Sequence, residues 1–377
     1  MSRHSGVLWV YHEETGMTPR ILIIYTGGTI GMMADPEQNG VLRNVDFSRI
    51  EQELPALRRY GYHLQHRSFD PVIDSSDIRP ADWIRIARII ADEYEHFDGF
   101  VILHGTDTMA WTASALSFLL EGLEKPVILT GSQIPIGVIR TDGRENLITS
   151  VEIAAARYGE GAAVPEVCIY FESMLYRGNR TVKQSAEHFN AFASPNFRPL
   201  AEAGINISYD RQAIRYPDRI GVFGPGGASS AGQVPLAGGF RPTFCLDDQV
   251  LLVKLFPGIS SAYLDRVLSI EGLKGAVIET YGSGNAPQSG DFVSALRRAR
   301  ERGLVLLNVS QCIKGSVNMA LYETGAGLGR LGMVNGHDMT SEAALTKMMY
   351  LFGRGYGPED LGARLGRSLR GELTEQA

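Results

Sequence analysis

Cysteine is scarce in this chain. Its 377 residues include three, Cys168, Cys245 and Cys312, widely spaced and without a CxxC pair. An odd count at such spacing argues against a disulfide framework and points to a reducing compartment, so a cytoplasmic protein is expected. Long apolar runs are missing as well, none approaching the roughly 20 residues that cross a bilayer. The short run at 7–11 is followed at once by charge, without the small-residue cleavage pattern of a signal peptide. Basic clusters are also missing: Lys+Arg 36 against Asp+Glu 42 gives a net charge of -6, with no Lys/Arg-rich face for phosphates. Nucleic acid and membrane are therefore not expected partners. His104 has no imidazole or thiolate at metal-ligand spacing, so no metal is expected.

What the chain does have is glycine, 43 residues of it, much of it at the ends of apolar runs. The sharpest case is ILIIYTGGTIGM at 21–32, a buried strand feeding a turn that presents Thr26 and Thr29. Residues 33–45 follow as a polar loop without lasting period, placed to close over a pocket. An amphipathic helix is expected from Pro80, a strand over 99–103 and a helix over 110–120. A strand over 126–130, a helix over 146–157 and a strand over 166–171 complete the unit. Strand, polar tip and helix in repetition predict an α/β fold with a mainly parallel sheet. The expected organisation is a flexible extension at 1–20, a catalytic α/β domain at 21–200, a linker with a Gly/Ala-rich insertion at 201–248, a smaller α/β domain at 249–365 and a tail at 366–377. Within the smaller domain, 338–352 predicts a helix capped by Asp338 or Thr340.

Three strand ends in the first unit finish in hydroxyls and carboxylates: Thr26/Thr29, the run from Asp74 to Asp77, and Thr106/Asp107/Thr108. In a parallel sheet these ends share one edge, so they are placed to converge on one pocket. A threonine hydroxyl needs a base to attack at neutral pH, and Lys183 with Asp107 would complete a relay of the nucleophile–base–carboxylate kind at Thr106. Bland readings stand beside this one. Asp107 is a plausible helix N-cap, the Asp74–Asp77 run a plausible Asx or Ser turn before Pro80, and Lys183 an ordinary surface lysine or part of an anion patch with Arg177 and Arg180.

TGGTIGM at 26–32, DSSD at 74–77, HGTDTMAWTASALSF at 104–118, TGSQIP at 130–135 and LYRGNRTVK at 175–183 together resemble the bacterial type I, cytoplasmic L-asparaginases. YGSGNAPQ at 281–288, SQCIKGSVNM at 310–319 and DMTSEAALTK at 338–347 extend the likeness over nearly the whole chain. The resemblance implies a two-domain asparaginase-like fold, larger at the N-terminal end, in a dimer or a dimer of dimers. It implies hydrolysis of L-asparagine to L-aspartate and ammonia without a cofactor. Thr29 matches the attacking threonine and Thr106 the second catalytic threonine, assisted by Lys183 and Asp107. Ser75 matches the residue that binds the substrate α-carboxylate, Asp107 the one that receives the α-amino group, and Ser76 and Ser132 would line the pocket.

Three departures stand out. The family's loop tyrosine, about ten residues after the nucleophile, is replaced by Val41, and 33–45 holds no tyrosine. The arginine and threonine of the regulatory asparagine site in some members are Glu279 and Val182 here, although Cys312 is kept. Homotropic activation by asparagine is therefore expected to be weak or absent. An asparaginase-like subunit of an archaeal-type glutamyl-tRNA amidotransferase is the alternative enzyme, disfavoured by the missing N-terminal barrel and basic face. A noncatalytic amino-acid-binding relative is the alternative of another class.

Overall fold

The apolar run at 21–25 forms the strand Arg20–Tyr25, in which residues from Ile21 to Tyr25 are at most 1% exposed. Ile21, Ile23 and Tyr25 face one hydrophobic layer, and Leu22 and Ile24 face the other. A strand buried on both faces gains about 1.5–3 kcal/mol per large apolar side chain, which explains its unbroken apolar run. The structure, a computed structural model, describes residues 18–35, 41–44, 47–53, 55–216, 239–319 and 323–375. Nearly all of the expected N-terminal extension and of the Gly/Ala-rich insertion lies outside the described residues.

Eight strands make the large sheet, in the spatial order Ile207–Tyr209, Ala201–Ala203, Met174–Arg177, Val167–Phe171, Val127–Thr130, Gly99–Leu103, Arg20–Tyr25, His63–Ser68. The five strands from Val167–Phe171 to His63–Ser68 run parallel, and the other three add antiparallel at one edge. Tyr25 is level with Ser68 and Leu103, and Leu103 with Thr130, so four strands end at one edge. Whatever follows those residues is delivered to the same place.

The smaller domain carries four parallel strands, Val250–Lys254, Gly275–Thr280, Val305–Ser310 and Val334–Asn335, in chain order. Its helix Ser341–Gly353 packs against Met109–Leu119 of the first domain, with Phe118 and Tyr350 stacked 5.8 Å apart. Met109–Leu119 is buried at every position but Trp111, which is why its sequence is apolar nearly all round. Thr340 caps Ser341–Gly353 by accepting from the Ala343 N–H, while Asp338 pairs with Arg180.

Two local expectations change. Residues 33–45 do not form a shapeless loop: Met32–Asp35 pairs antiparallel with Val41–Asn44, in a register that sets Asp35 against Val41. Four-residue strands are too short to print an alternating pattern. Likewise Ala201–Ala203 and Ile207–Tyr209, expected at the start of the linker, extend the large sheet, and Ala213, Ile214 and Tyr216 are buried in its core.

Candidate active site

The two hydroxyls of TGGT have different surroundings. Thr26 is 2% exposed and donates its hydroxyl to the carbonyl of Leu103 at 2.9 Å, stitching the strand to its neighbour. Thr29 is partly exposed and opens the 3-10 turn Thr29–Gly31. The Tyr25 ring lies beneath that turn, its hydroxyl donated to the Gly31 carbonyl at 3.4 Å.

Two glycines bring the strand ends together. Gly28 has φ +94°, and a Cβ there would meet the Gly105 backbone nitrogen at 2.5 Å. A Cβ on Gly105 would meet the Ser75 hydroxyl oxygen, also at 2.5 Å. Thr29 and Thr106 are thus carried by backbones in contact, and the Ser75 side chain packs on the Gly105 Cα, at spacings that only hydrogen side chains allow. Thr108 donates its hydroxyl to the Ser75 carbonyl at 2.6 Å and fixes the third strand end to the second.

The Lys183 amine donates to Thr106 Oγ1 at 2.8 Å and to Asp107 Oδ1 at 2.6 Å. Lys183 is 17% exposed and Asp107 67%, so the carboxylate faces solvent and the amine is sheltered. Asp107 is not the helix cap; that position belongs to Thr108, whose hydroxyl is engaged elsewhere. Ser75 is buried. Ser76 is exposed, and its hydroxyl and backbone N–H both donate to Asp74 Oδ1, which is the Asx turn foreseen for this run. Ser132 is 1% exposed, and its Oγ finds no partner among the described residues.

The sequence reading missed several supporting groups. Gln133 accepts from the Thr106 hydroxyl at 3.3 Å and donates to the carbonyl of His188 at 3.0 Å. Its own N–H is held by the Asp142 carboxylate, which also receives the Ile134 N–H. Asn146 Nδ2 donates to the Gly131 carbonyl and completes the anchoring of the GSQIP loop. The signal was present: Asp142 stands at the helix start and Asn146 one turn later, a spacing that faces both toward the preceding loop.

His104 is structural. Trp83 Nε1 donates to Thr112 Oγ1 at 2.9 Å, and that hydroxyl donates to His104 Nε2 at 2.8 Å. Since a carbonyl can only accept, the Gly105 oxygen 2.7 Å from Nδ1 assigns the imidazole proton to that nitrogen, and Nε2 accepts from Thr112. Burial lowers the imidazole to about 4, so it is neutral at physiological pH. Among the described residues no group of three His, Cys, Asp or Glu is arranged to hold a metal ion. The side chain of Val41 lies outside the described part of the structure.

Comparison with known proteins adds to this geometry. Residues 20–215 match the family description "Asparaginase, N-terminal", and residues 249–364 match "Glutaminase/Asparaginase C-terminal domain". The chain belongs to the asparaginase family. L-asparaginase 1 of Escherichia coli K12 is 41% identical over 358 residues, covering 94% of this chain and 98% of that protein. The human 60 kDa lysophospholipase is 39% identical over 383 residues, covering 96% of this chain but 63% of the longer human protein. The crystal structure of L-asparaginase I from Vibrio cholerae superposes with a TM-score of 0.81 at 38% identity, covering 95% of this chain and 100% of that one. The first match spans all eight strands of the large sheet and the second spans the four strands of the smaller one.

Proposed function

We propose that this asparaginase-family protein hydrolyses L-asparagine to L-aspartate and ammonia through a β-aspartyl ester on Thr29. The observation that carries the reading is the Lys183 amine bonded to both Thr106 and Asp107, on a strand end held against the Gly28–Thr29 turn. Thr29 Oγ1 attacks the side-chain amide carbon, loses its proton as the C–O bond forms, and the C–N bond breaks with ammonia taking up a proton. Water then attacks the ester, giving up one proton as Thr29 regains its own. Thr106 is positioned to relay a proton to the Lys183 amine, which must be deprotonated to accept it, and Asp107 balances the ammonium that results. Backbone N–H groups at the glycine-bordered turns are the donors available to the tetrahedral oxyanion.

Substrate placement follows from charge. The exposed Asp107 carboxylate suits the α-ammonium group, and Ser75 with Ser132 supplies hydroxyls for the α-carboxylate and the pocket wall. Ser76 stands at the rim with its hydroxyl turned to Asp74. The family resemblance supports a homodimer or a dimer of dimers, to be sized by light scattering. Ammonia release from asparagine and from glutamine, by wild type and Thr29→Ala, tests the reading. A loss of about 10³-fold or more in kcat is expected for the variant. Full rate in Thr29→Ala would exclude Thr29 as the nucleophile.

A further inference from the structure

Away from the paired threonines, a cavity of ≈ 60 Å³ opens where the first domain meets residues 369–371, lined among others by Leu120, Glu166, Arg177, Arg215 and Arg370. Its charges do not cancel. Glu166 binds the Arg177 guanidinium through both oxygens, at 2.6 and 3.0 Å, and accepts the Arg215 backbone N–H at 2.7 Å. Both of its oxygens are therefore used before the Arg215 guanidinium is reached. Among the described residues, that guanidinium makes one long contact, 3.5 Å to the Leu369 carbonyl. Arg370 pairs with Glu121 at 3.3 Å and donates to the Leu369 carbonyl, but its Nε is buried without a partner among the described residues. Glu372, the next carboxylate along, is occupied by Lys347 and by two backbone N–H groups. The remaining lining carboxylate, Glu124, is exposed.

We propose that this cavity is a binding site for a compact oxyanion, a carboxylate or a phosphate, held by Arg215 and Arg370 and backed by the Arg177–Glu166 pair. A guanidinium has five N–H donors, and a carboxylate or phosphate edge is the acceptor that fits its fork. Without the anion, two guanidinium groups crowd a third in a partly desolvated space. Burial and the neighbouring charges of Arg177 and Arg370 lower the Arg215 guanidinium to about 10. With the anion bound, Arg370 on the C-terminal segment and Arg215 on the first domain are bridged, so occupancy strengthens the docking of that segment. Nothing in the proposed hydrolysis requires this site.

Thermal unfolding of the full chain, titrated with phosphate and separately with succinate at constant ionic strength against chloride, tests the proposal. A saturable rise of several degrees with phosphate, with succinate or with both is expected, and the arms identify the preferred oxyanion. Arg215→Met and Arg370→Met should each weaken the apparent affinity by about 10–100-fold, with kcat on asparagine unchanged in Arg215→Met. Chloride acting as well as either oxyanion overturns the proposal. So does a stabilisation that Ser75→Ala abolishes and both arginine variants keep, which would place the ion in the substrate pocket. Should the variants fail to fold, wild-type crystals soaked in selenate decide: an anomalous peak between Arg215 and Arg370 supports the site, and its absence overturns it.

Discussion

Gly28 and Gly105 meet backbone to backbone: a Cβ atom on Gly28 would lie 2.5 Å from the Gly105 nitrogen and 2.6 Å from its Cα. Each glycine directly precedes one of the two threonines assigned to the chemistry. The distance between these two backbones therefore sets the distance between Thr29 and Thr106.

Gly28→Ala should separate them. The φ of +94° alone costs an L-residue about 1–3 kcal/mol, and the clash adds to it. A displacement near 1 Å costs about 10²-fold in rate, so kcat/KM should fall by that order with a lower melting temperature. Steady-state assay alongside calorimetry checks both. A variant that melts earlier yet keeps wild-type kcat/KM would show that the junction serves folding alone.

Lys183→Met removes the amine bonded to Thr106 and Asp107. We expect kcat to drop by about 10²–10⁴-fold, the range for a lost general acid–base group. Asp107→Asn should raise KM as well as lower kcat, because it removes the charge proposed to hold the α-ammonium. An Asp107→Asn enzyme with unchanged KM would place that ammonium elsewhere.

Stability should decline with acid in two overlapping windows. Burial holds His104 at about 4 against an ordinary 6.5. Its folded state resists a proton that the unfolded chain accepts, so stability is lost as pH falls from 6.5 through 4. Burial alone would push Glu372 up, but the Lys347 ammonium and the Leu369 and Arg370 N–H groups outweigh it and bring the carboxyl to about 2. Its contribution, complete above the ordinary 4.5, is lost as pH falls from there through 2. Burial draws Lys347 down even with this partner, so the carboxylate carries the acid sensitivity of the pair. Urea midpoints measured from pH 7 to pH 2 should show both declines, and Glu372→Gln should flatten the lower one. That variant also leaves a buried ammonium unpaired, at about 3–5 kcal/mol.

The rate should rise hyperbolically with asparagine. Glu279 stands where some relatives of this family are expected to carry an arginine, and its carboxylate accepts from Ser341 while facing Lys254 at 3.8 Å. An acidic group there repels a ligand carboxylate. A Hill coefficient near 1 is the expected result, and a clearly sigmoidal curve would contradict it.

The strand from Arg20 to Tyr25 and the alternation of strand and helix were legible because burial on two faces leaves an unbroken apolar run. The meeting of Thr106, Asp107 and Lys183 was legible because Thr106 and Asp107 follow a strand end and Lys183 stands in a polar, basic arm between apolar neighbours. The hairpin at Met32–Asp35 and Val41–Asn44 was not, since its strands are too short to show a period. Gln133 escaped for another reason: its amide acts through bonds to Thr106 and to the backbone of His188, contacts that leave no periodic trace. The turn before Pro80 shows the converse. Ser76 and Asp74 satisfied the local pattern of an Asx turn, and the structure uses that pattern on Ser76 while keeping Ser75 buried.

Lys183 follows the turn Gly178–Arg180, and that turn is held from far along the chain. Asn179 donates to the Arg370 carbonyl, and Arg180 donates to the Gly371 carbonyl, 191 positions later, and to Thr374 Oγ1. A ribosome that has already delivered Thr29, Thr106 and Lys183 has yet to deliver the groups that steady this turn. The amine geometry should therefore be complete only after residues 370–374 have been made and have folded back on the turn. A protease nick after Ser368, far along the chain from Thr29 and Thr106, would release the same contacts and loosen the turn that precedes Lys183.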